Sequence, residues 1–143
     1  MKFRYIKPKD LTICAKIAGM NFWQHFKNSA YKEIKETFSK NNTLCPRYLV
    51  VEEKWKIIWF AWFINSWMDY NIYEIFWVNI HPDYQGQWIG TKLVEKIIRL
   101  IKKNQNALKI LLTTQKASFY KEKFGFREVS WLKEKDVLME LDI

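Results

Sequence analysis

The stretch IYEIFWVNIHPDYQGQWIGTKLVEKIIRLIKK, residues 72–103, constrains the fold more than any other part of the chain. Its first nine residues are apolar apart from Glu74 and Asn79 and stop at HPDYQG, the pattern of a buried strand ending in a turn. From Ile89 to about Asn104 the rhythm changes. Ile89, Leu93, Val94, Ile97, Ile98 and Ile101 fall on one helical stripe, with Lys92, Glu95, Lys96, Arg99, Lys102 and Lys103 on the other side. A buried strand that feeds a glycine turn and then a one-faced helix needs a sheet for the helix to cover, which places the chain among α/β folds.

The flanks fit that frame. Strands are expected at 2–6, 46–53, 56–64, 107–114, 126–132 and 136–143, and helices after Pro8 and Asp10, over 30–40 and over 116–124. The order β, α, α, β, β, β, α, β, α, β, β predicts a mixed, mostly antiparallel twisted sheet of about six to seven strands with helices on both faces. No repeat or linker interrupts 143 residues, so residues 1–143 are expected to form one domain. The longest apolar run, 57–64, is too short for a bilayer, which needs about 20 residues. With no apolar leader after MKFRYIKPKD, a cytoplasmic protein without membrane attachment is expected. Cys14 and Cys45 share no metal or redox spacing and are expected to be free thiols; no metal site is expected.

The turn carries the chemistry. A helix start leaves backbone N–H groups unpaired and carries about half a positive charge. A glycine turn before it lets an anion come close. The first turn here holds Thr91 and Lys92 and no acid, although acids are favoured at that place. Such a start suits a bound phosphate. A plain tight turn gives the same pattern, so a second signal is needed.

HPDYQGQWIGTKLVEKI, followed after a further strand by ASFYKEKFGF, supplies one. The pair resembles the GNAT superfamily, the acyl-CoA-dependent N-acyltransferases, whose loop is Gln/Arg-x-x-Gly-x-Gly/Ala after Pro-x-Tyr and whose second signature is close to Tyr-x-x-x-Gly-Phe. Pro82, Tyr84, Gln85 and Gly90 carry the first motif, and Tyr120, Gly125 and Phe126 the second. The resemblance covers residues 46–140 well and the first 45 only by element order. It implies an N-acetyltransferase that moves acetyl from acetyl-CoA to a primary amine by direct attack, through a tetrahedral intermediate. It also implies that the loop, Gln85, Gly86, Gln87, Trp88, Ile89, Gly90 and Thr91, holds the coenzyme pyrophosphate. Val78, Asn79 and Ile80 would pair with the pantetheine arm where the fourth and fifth strands splay. Tyr120 matches the family tyrosine that faces the coenzyme sulfur and is the candidate acid. Glu74, the only charge on its strand, resembles the glutamate base of the histone-acetylating branch. Ordered water as base, with Glu74 merely solvated, is the other reading. His81 is expected to be an exposed turn residue, and His25 has no assigned role.

Two further classes stand beside the enzyme: a catalytically inactive acyl-CoA-binding module of the same fold, and a nucleic-acid binder. The net charge of +9 motivates the second, but the lysines are spread along the chain and no recognition motif is present, so no nucleic acid is expected. The acceptor amine cannot be read, and monomer or homodimer are both compatible.

The tryptophans are out of place. The chain has 8 Trp and 4 Gly, an inversion of ordinary usage. Trp88 stands at the family's first loop glycine. Trp55 and Trp59 fill glycine positions of a hairpin whose usual form is Glu-x-Gly-Lys-Ile-hydrophobic-Gly-Phe, and Trp67 and Trp131 sit where glycine is common. A side chain at positive φ costs about 1–2 kcal/mol. UGA is read as tryptophan in one variant code and as glycine in another, so a gene of the second kind translated with the first would carry this signature; a family member that tolerates tryptophan, with Trp88 pointing outward or stacking on a ligand, is the other reading. Tryptophan at 88 is expected to leave the fold intact with a distorted or occluded loop.

Overall fold

The structure is a computed structural model that describes residues 1–39 and 46–143. Seven strands form one sheet: β1 (Lys2–Tyr5), β2 (Arg47–Glu53), β3 (Lys56–Asn65), β4 (Ile72–Ile80), β5 (Lys109–Thr114), β6 (Arg127–Trp131) and β7 (Val137–Asp142). Their order across the sheet is β1-β2-β3-β4-β5-β7-β6. Every neighbouring pair is antiparallel except β4 with β5. Four helices complete the fold: α1 (Leu11–Asn21), α2 (Phe26–Glu36), α3 (Ile89–Lys102) and α4 (Ala117–Phe124). The expected element order holds. The second helix starts at Phe26 rather than at residue 30, and the polar stretch expected to end it, with Cys45, lies outside the described residues.

The sheet separates two cores. On one face Leu93, Val94, Ile97 and Ile101 of α3, with Tyr120 of α4, pack on Val51, Trp59, Phe63, Tyr73, Ile75 and Ile110. On the other, Cys14, Ile17 and Ala18 of α1 and Ala30 and Ile34 of α2 pack on Tyr48, Val50 and Phe60. The parallel β4–β5 pair follows from α3, since a crossover helix returns the chain to the same end of the sheet. Cys14 is a free thiol, fully buried.

An ion cluster fixes the entry to α1. The Arg4 guanidinium donates to Asp10 Oδ2 at 2.6 Å, to Asp10 Oδ1 at 3.1 Å and to Glu52 Oε2 at 2.8 Å, and the Lys7 amide also donates to Asp10 Oδ2 at 2.8 Å. Burial pushes the Asp10 carboxyl up, but the Arg4 and Lys7 hydrogen bonds and the Arg4 charge outweigh it and hold it below its usual value. A depressed carboxylate contributes stability above its unfolded pKa and loses it as pH falls through the folded one. Asp10→Ala is therefore expected to cost about 2 kcal/mol at pH 7, since Glu52 still partners Arg4. The deficit shrinks below about pH 4. Urea denaturation across pH reads it, and an equal deficit at all pH values would assign the loss to packing instead.

Candidate active site

The site is built where β4 and β5 part. Their parallel ladder holds only at Ile72–Lys109, Tyr73–Ile110 and Glu74–Leu111. Beyond that point β5 pairs with β7, and β4 continues to Ile80 paired only with β3. The residues Ile75 to Ile80 thus have an unpaired edge facing a gap in the sheet, a place where a ligand's amides can meet strand groups.

A bulge sharpens the bend of β4. Phe60 pairs with Asn79 and Trp62 with Phe76, so Ala61 opposes both Trp77 and Val78. Trp77 takes φ 48°. The extra residue turns Phe76 and Trp77 both toward the α1–α2 face, Phe76 stacking on Trp62 at 5.1 Å, while Val78 and Ile80 return to the α3 core.

The turn after β4 is held from three sides. The His81 amide donates to the Ile58 carbonyl at 2.9 Å, and His81 Nδ1 accepts from the Asp83 amide at 3.3 Å. Gln85 Nε2 reaches Asn21 Oδ1 at 3.0 Å and the Ile80 carbonyl at 3.4 Å. Asn21 Nδ2 in turn donates to Asn79 Oδ1 at 3.0 Å and to the Ile80 carbonyl at 2.9 Å. Asn21, at the end of α1, was not legible as a site residue, because its partners lie 58 and 59 residues away.

This bracing changes the reading of two expected ligand groups. The Gln85 amide is already spent on the Pro82 carbonyl at 3.2 Å, and its side chain braces the loop. The Ile80 carbonyl is occupied by Asn21 and Gln85. The Asn79 carboxamide is 1 % exposed and its Nδ2 has no partner, so it faces the α1 side rather than solvent. Among the described residues, the amides from Gly86 to Thr91 meet no acceptor beyond α3 itself. The exposed Gly86 and Gln87, buried Ile89 and half-buried Gly90 and Thr91 therefore present an unfilled run of donors at the α3 start, and the first turn contains no acid. A Cβ on Gly90 would lie 3.2 Å from Ile80 Cδ1, so glycine there lets α3 seat tightly on the end of β4.

Trp88 precedes α3 with φ 57° and ψ 0°, in the left-handed region. The residue is 66 % exposed, and its ring centroid lies 4.7 Å from Lys123 Nζ. The indole thus reaches from the loop across to α4, while the fold around it is intact. Trp55 takes φ 68° at the β2–β3 turn. Trp59 is fully buried within β3, where strand conformation suits any side chain, and its indole N–H has no partner.

Tyr120 and Glu74 lie on opposite sides of the sheet. Tyr120 sits on α4 within van der Waals reach of Phe119, Phe124 and Phe126, and burial pushes its hydroxyl up to about 12. It is protonated at any working pH. Tyr73 and Ile75 enter the α3 core, so strand alternation turns Glu74 to the α1–α2 face. It is half-buried at the last rung of the β4–β5 ladder and its side chain, among the described residues, makes no hydrogen bond or ion pair. His25 lies against Phe26, and His81 is half-buried in the turn. No group of three or more His, Cys, Asp or Glu able to hold a metal occurs among the described residues, and none of the helices described is long and apolar enough to cross a membrane.

Comparison with known proteins agrees with this architecture. A GNAT acetyltransferase domain model matches residues 46–128. No curated protein sequence matches the chain. Among solved structures, a GNAT-family protein from Desulfovibrio desulfuricans superposes with a TM-score of 0.85 at 15% identity, over 99% of this chain and 98% of that one. The PaiA N-acetyltransferase of Thermoplasma acidophilum, solved with coenzyme A, gives 0.74 at 19%, over 99% and 98%. An aminoglycoside 6'-N-acetyltransferase from Enterococcus faecium gives 0.75 at 13%, over 99% and 97%. These likenesses carry the fold, and the family match, over more than half of the sequence, makes the chain a member of the GNAT acetyltransferase family.

Proposed function

We propose that the chain, acting as one domain, is an N-acetyltransferase that transfers acetyl from acetyl-CoA to a primary amine. The observation that carries this reading is the parting of β4 from β5 at Glu74, with unfilled α3 amides at one end of the gap and one ionisable side chain on each side of the sheet. Amides from Gly86 to Thr91 and the α3 dipole hold the pyrophosphate. The free edge of β4 near Val78 receives the pantetheine amides.

The reaction needs a neutral amine, a stabilised oxyanion and a protonated leaving thiolate. Glu74, on the α1–α2 face, takes the proton that the amine must lose. The nitrogen lone pair forms the N–C bond while the carbonyl pair moves onto oxygen, where a β4 N–H near Val78 steadies it. On collapse the C–S bond breaks, and Tyr120, on the coenzyme side, gives its proton to sulfur and recovers one from solvent. Its pKa lies above that of a thiol, so the hydroxyl hydrogen-bonds to the leaving sulfur as charge builds there and passes its proton on only as solvent replaces it.

Calorimetry with acetyl-CoA, followed by thiol release with a panel of primary amines, tests the reading. Binding without thiol release on any amine would turn it into the inactive acyl-CoA-binding module. Tyr120→Phe is expected to lower kcat about 10²-fold with acetyl-CoA affinity unchanged. Because the hydroxyl ionises only near 12, the wild-type rate should show no fall from tyrosine ionisation up to about pH 11. An equal loss of affinity in Tyr120→Phe would make the residue a packing group.

A further inference from the structure

Six described residues other than glycine have positive φ, and three of them are tryptophans: Trp55, Trp77 and Trp88. Bulky side chains are rare outliers there. Each of the three positions has a mechanical reason to be glycine. Residues 54 and 55 form the two-residue loop between the paired Glu53 and Lys56, both at positive φ, the hairpin geometry that favours glycine in second place. Residue 77 is the first of two residues opposing Ala61, the place taken by glycine in a left-handed bulge. Residue 88 joins the turn to α3 in the left-handed region.

Two more tryptophans are wrong by an independent criterion. Trp59 and Trp62 bury their indole N–H groups without a partner, which buried tryptophans ordinarily find. Five of the 8 tryptophans therefore carry a conformational or a desolvation penalty. A codon with two meanings accounts for the three that stand at positive φ, and the buried, partnerless indoles of Trp59 and Trp62 point the same way.

The Trp77 ring also marks a space. It lies between the α1–α2 junction and β4, edge-on to Phe22 at 5.4 Å and to Phe26 at 6.4 Å, and its Nε1–H donates to Glu33 Oε2 at 2.7 Å. An N–H donor between two aromatic rings, directed at a carboxylate, is the placement a cationic amine would take. The space adjoins Val78 and lies on the same face as Glu74.

We propose that the protein made in its own cell carries glycine at positions 55, 77 and 88, spelled UGA and read as glycine, and that the space filled by the Trp77 indole is the seat of the acceptor amine. The second half rests on the N-acetyltransferase reading. Glycine at 77 keeps the bulge and frees the Glu33 carboxylate between Phe22 and Phe26 for an ammonium group. Glycine at 88 withdraws the indole that spans from the loop to α4.

The gene and the native protein decide the first half. UGA codons at the three positions, with peptides from the source cell whose masses fit glycine, are the expected result; UGG codons or tryptophan-bearing peptides overturn it. For the second half, the Trp55→Gly, Trp77→Gly, Trp88→Gly triple variant is assayed with n-butylamine, alone and with Glu33→Gln added. Glu33→Gln is expected to raise KM for the amine about tenfold with kcat and acetyl-CoA affinity unchanged. An unchanged KM, or no acetylation of the amine by a triple variant that binds acetyl-CoA, overturns the seat. Failure of the folded triple variant to bind acetyl-CoA falls on the acetyltransferase reading itself. Circular dichroism establishes folding, and Trp55→Gly alone, at a side chain 93 % exposed, is expected to raise the denaturation midpoint.

Discussion

Glu74→Gln is expected to lower kcat between about 10²- and 10⁴-fold, the range that a positioned general base supplies. Glutamine keeps the shape and the hydrogen-bonding oxygen and removes the ability to accept a proton. Acetyl-CoA affinity should not move, because Glu74 lies on the α1–α2 face while the unfilled amides lie at the start of α3. KM for the amine should change little, since the residue acts on the proton rather than on the body of the acceptor. Fold stability should rise slightly or stay level, because the half-buried carboxylate has no ion pair to lose among the described residues. The measurement is a steady-state comparison with acetyl-CoA and one amine, alongside calorimetry. A loss of less than about threefold would move the proton to ordered water and leave Glu74 as a solvated strand residue. The experiment belongs in the glycine-bearing chain as well as in the tryptophan-bearing one, so that an indole against the α1–α2 junction does not mask the chemistry.

Much of this candidate site is legible in the sequence. Glu74 stood out because a charge inside an apolar strand needs a reason. The α3 start stood out because its acid-free first turn follows a glycine turn, and both features survive in the structure. What escaped was whatever depends on distant pairing. The bulge at Trp77 adds one residue to β4, yet IYEIFWVNI is apolar nearly throughout, so an added residue leaves no break in the alternation. Asn21 closes a network with Asn79, Ile80 and Gln85, but nothing local to α1 announces it. Gln85 was legible as a motif residue, and its side chain also braces the loop from within. The start of α2 at Phe26 was missed because the helix has no side-chain cap, so the residues before it carry no start signal. The glycine positions show a further limit. Resemblance to the family marked 55, 59 and 88, whereas backbone conformation marks 55, 77 and 88; the two criteria overlap where the chain turns and differ inside β3 and β4, where a motif cannot separate a bulge from a straight strand.

Thr91→Glu should split stability from binding. The side chain belongs to the first turn of α3, where a carboxylate faces the positive end of the helix dipole and stabilises the free protein by about 0.3–1 kcal/mol. The same charge would stand beside the amides from Gly86 to Thr91 that the coenzyme pyrophosphate is expected to occupy. Two like charges about 4 Å apart at an effective dielectric constant near 20 repel by roughly 4 kcal/mol. Solvent screening at this half-exposed place reduces that, so a loss of about 10²-fold in acetyl-CoA affinity is expected. Added salt should recover part of the loss, because the penalty is electrostatic rather than steric. Thermal melting and calorimetry on the same sample read both signs at once. Thr91→Gln separates charge from bulk: it should weaken binding by only a small factor. A Thr91→Glu protein that melts higher and binds acetyl-CoA as tightly as before would mean that the α3 start caps itself and that the anion site lies elsewhere. A protein that loses both stability and binding would mean that the half-buried Thr91 cannot be enlarged without unseating α3 from the end of β4.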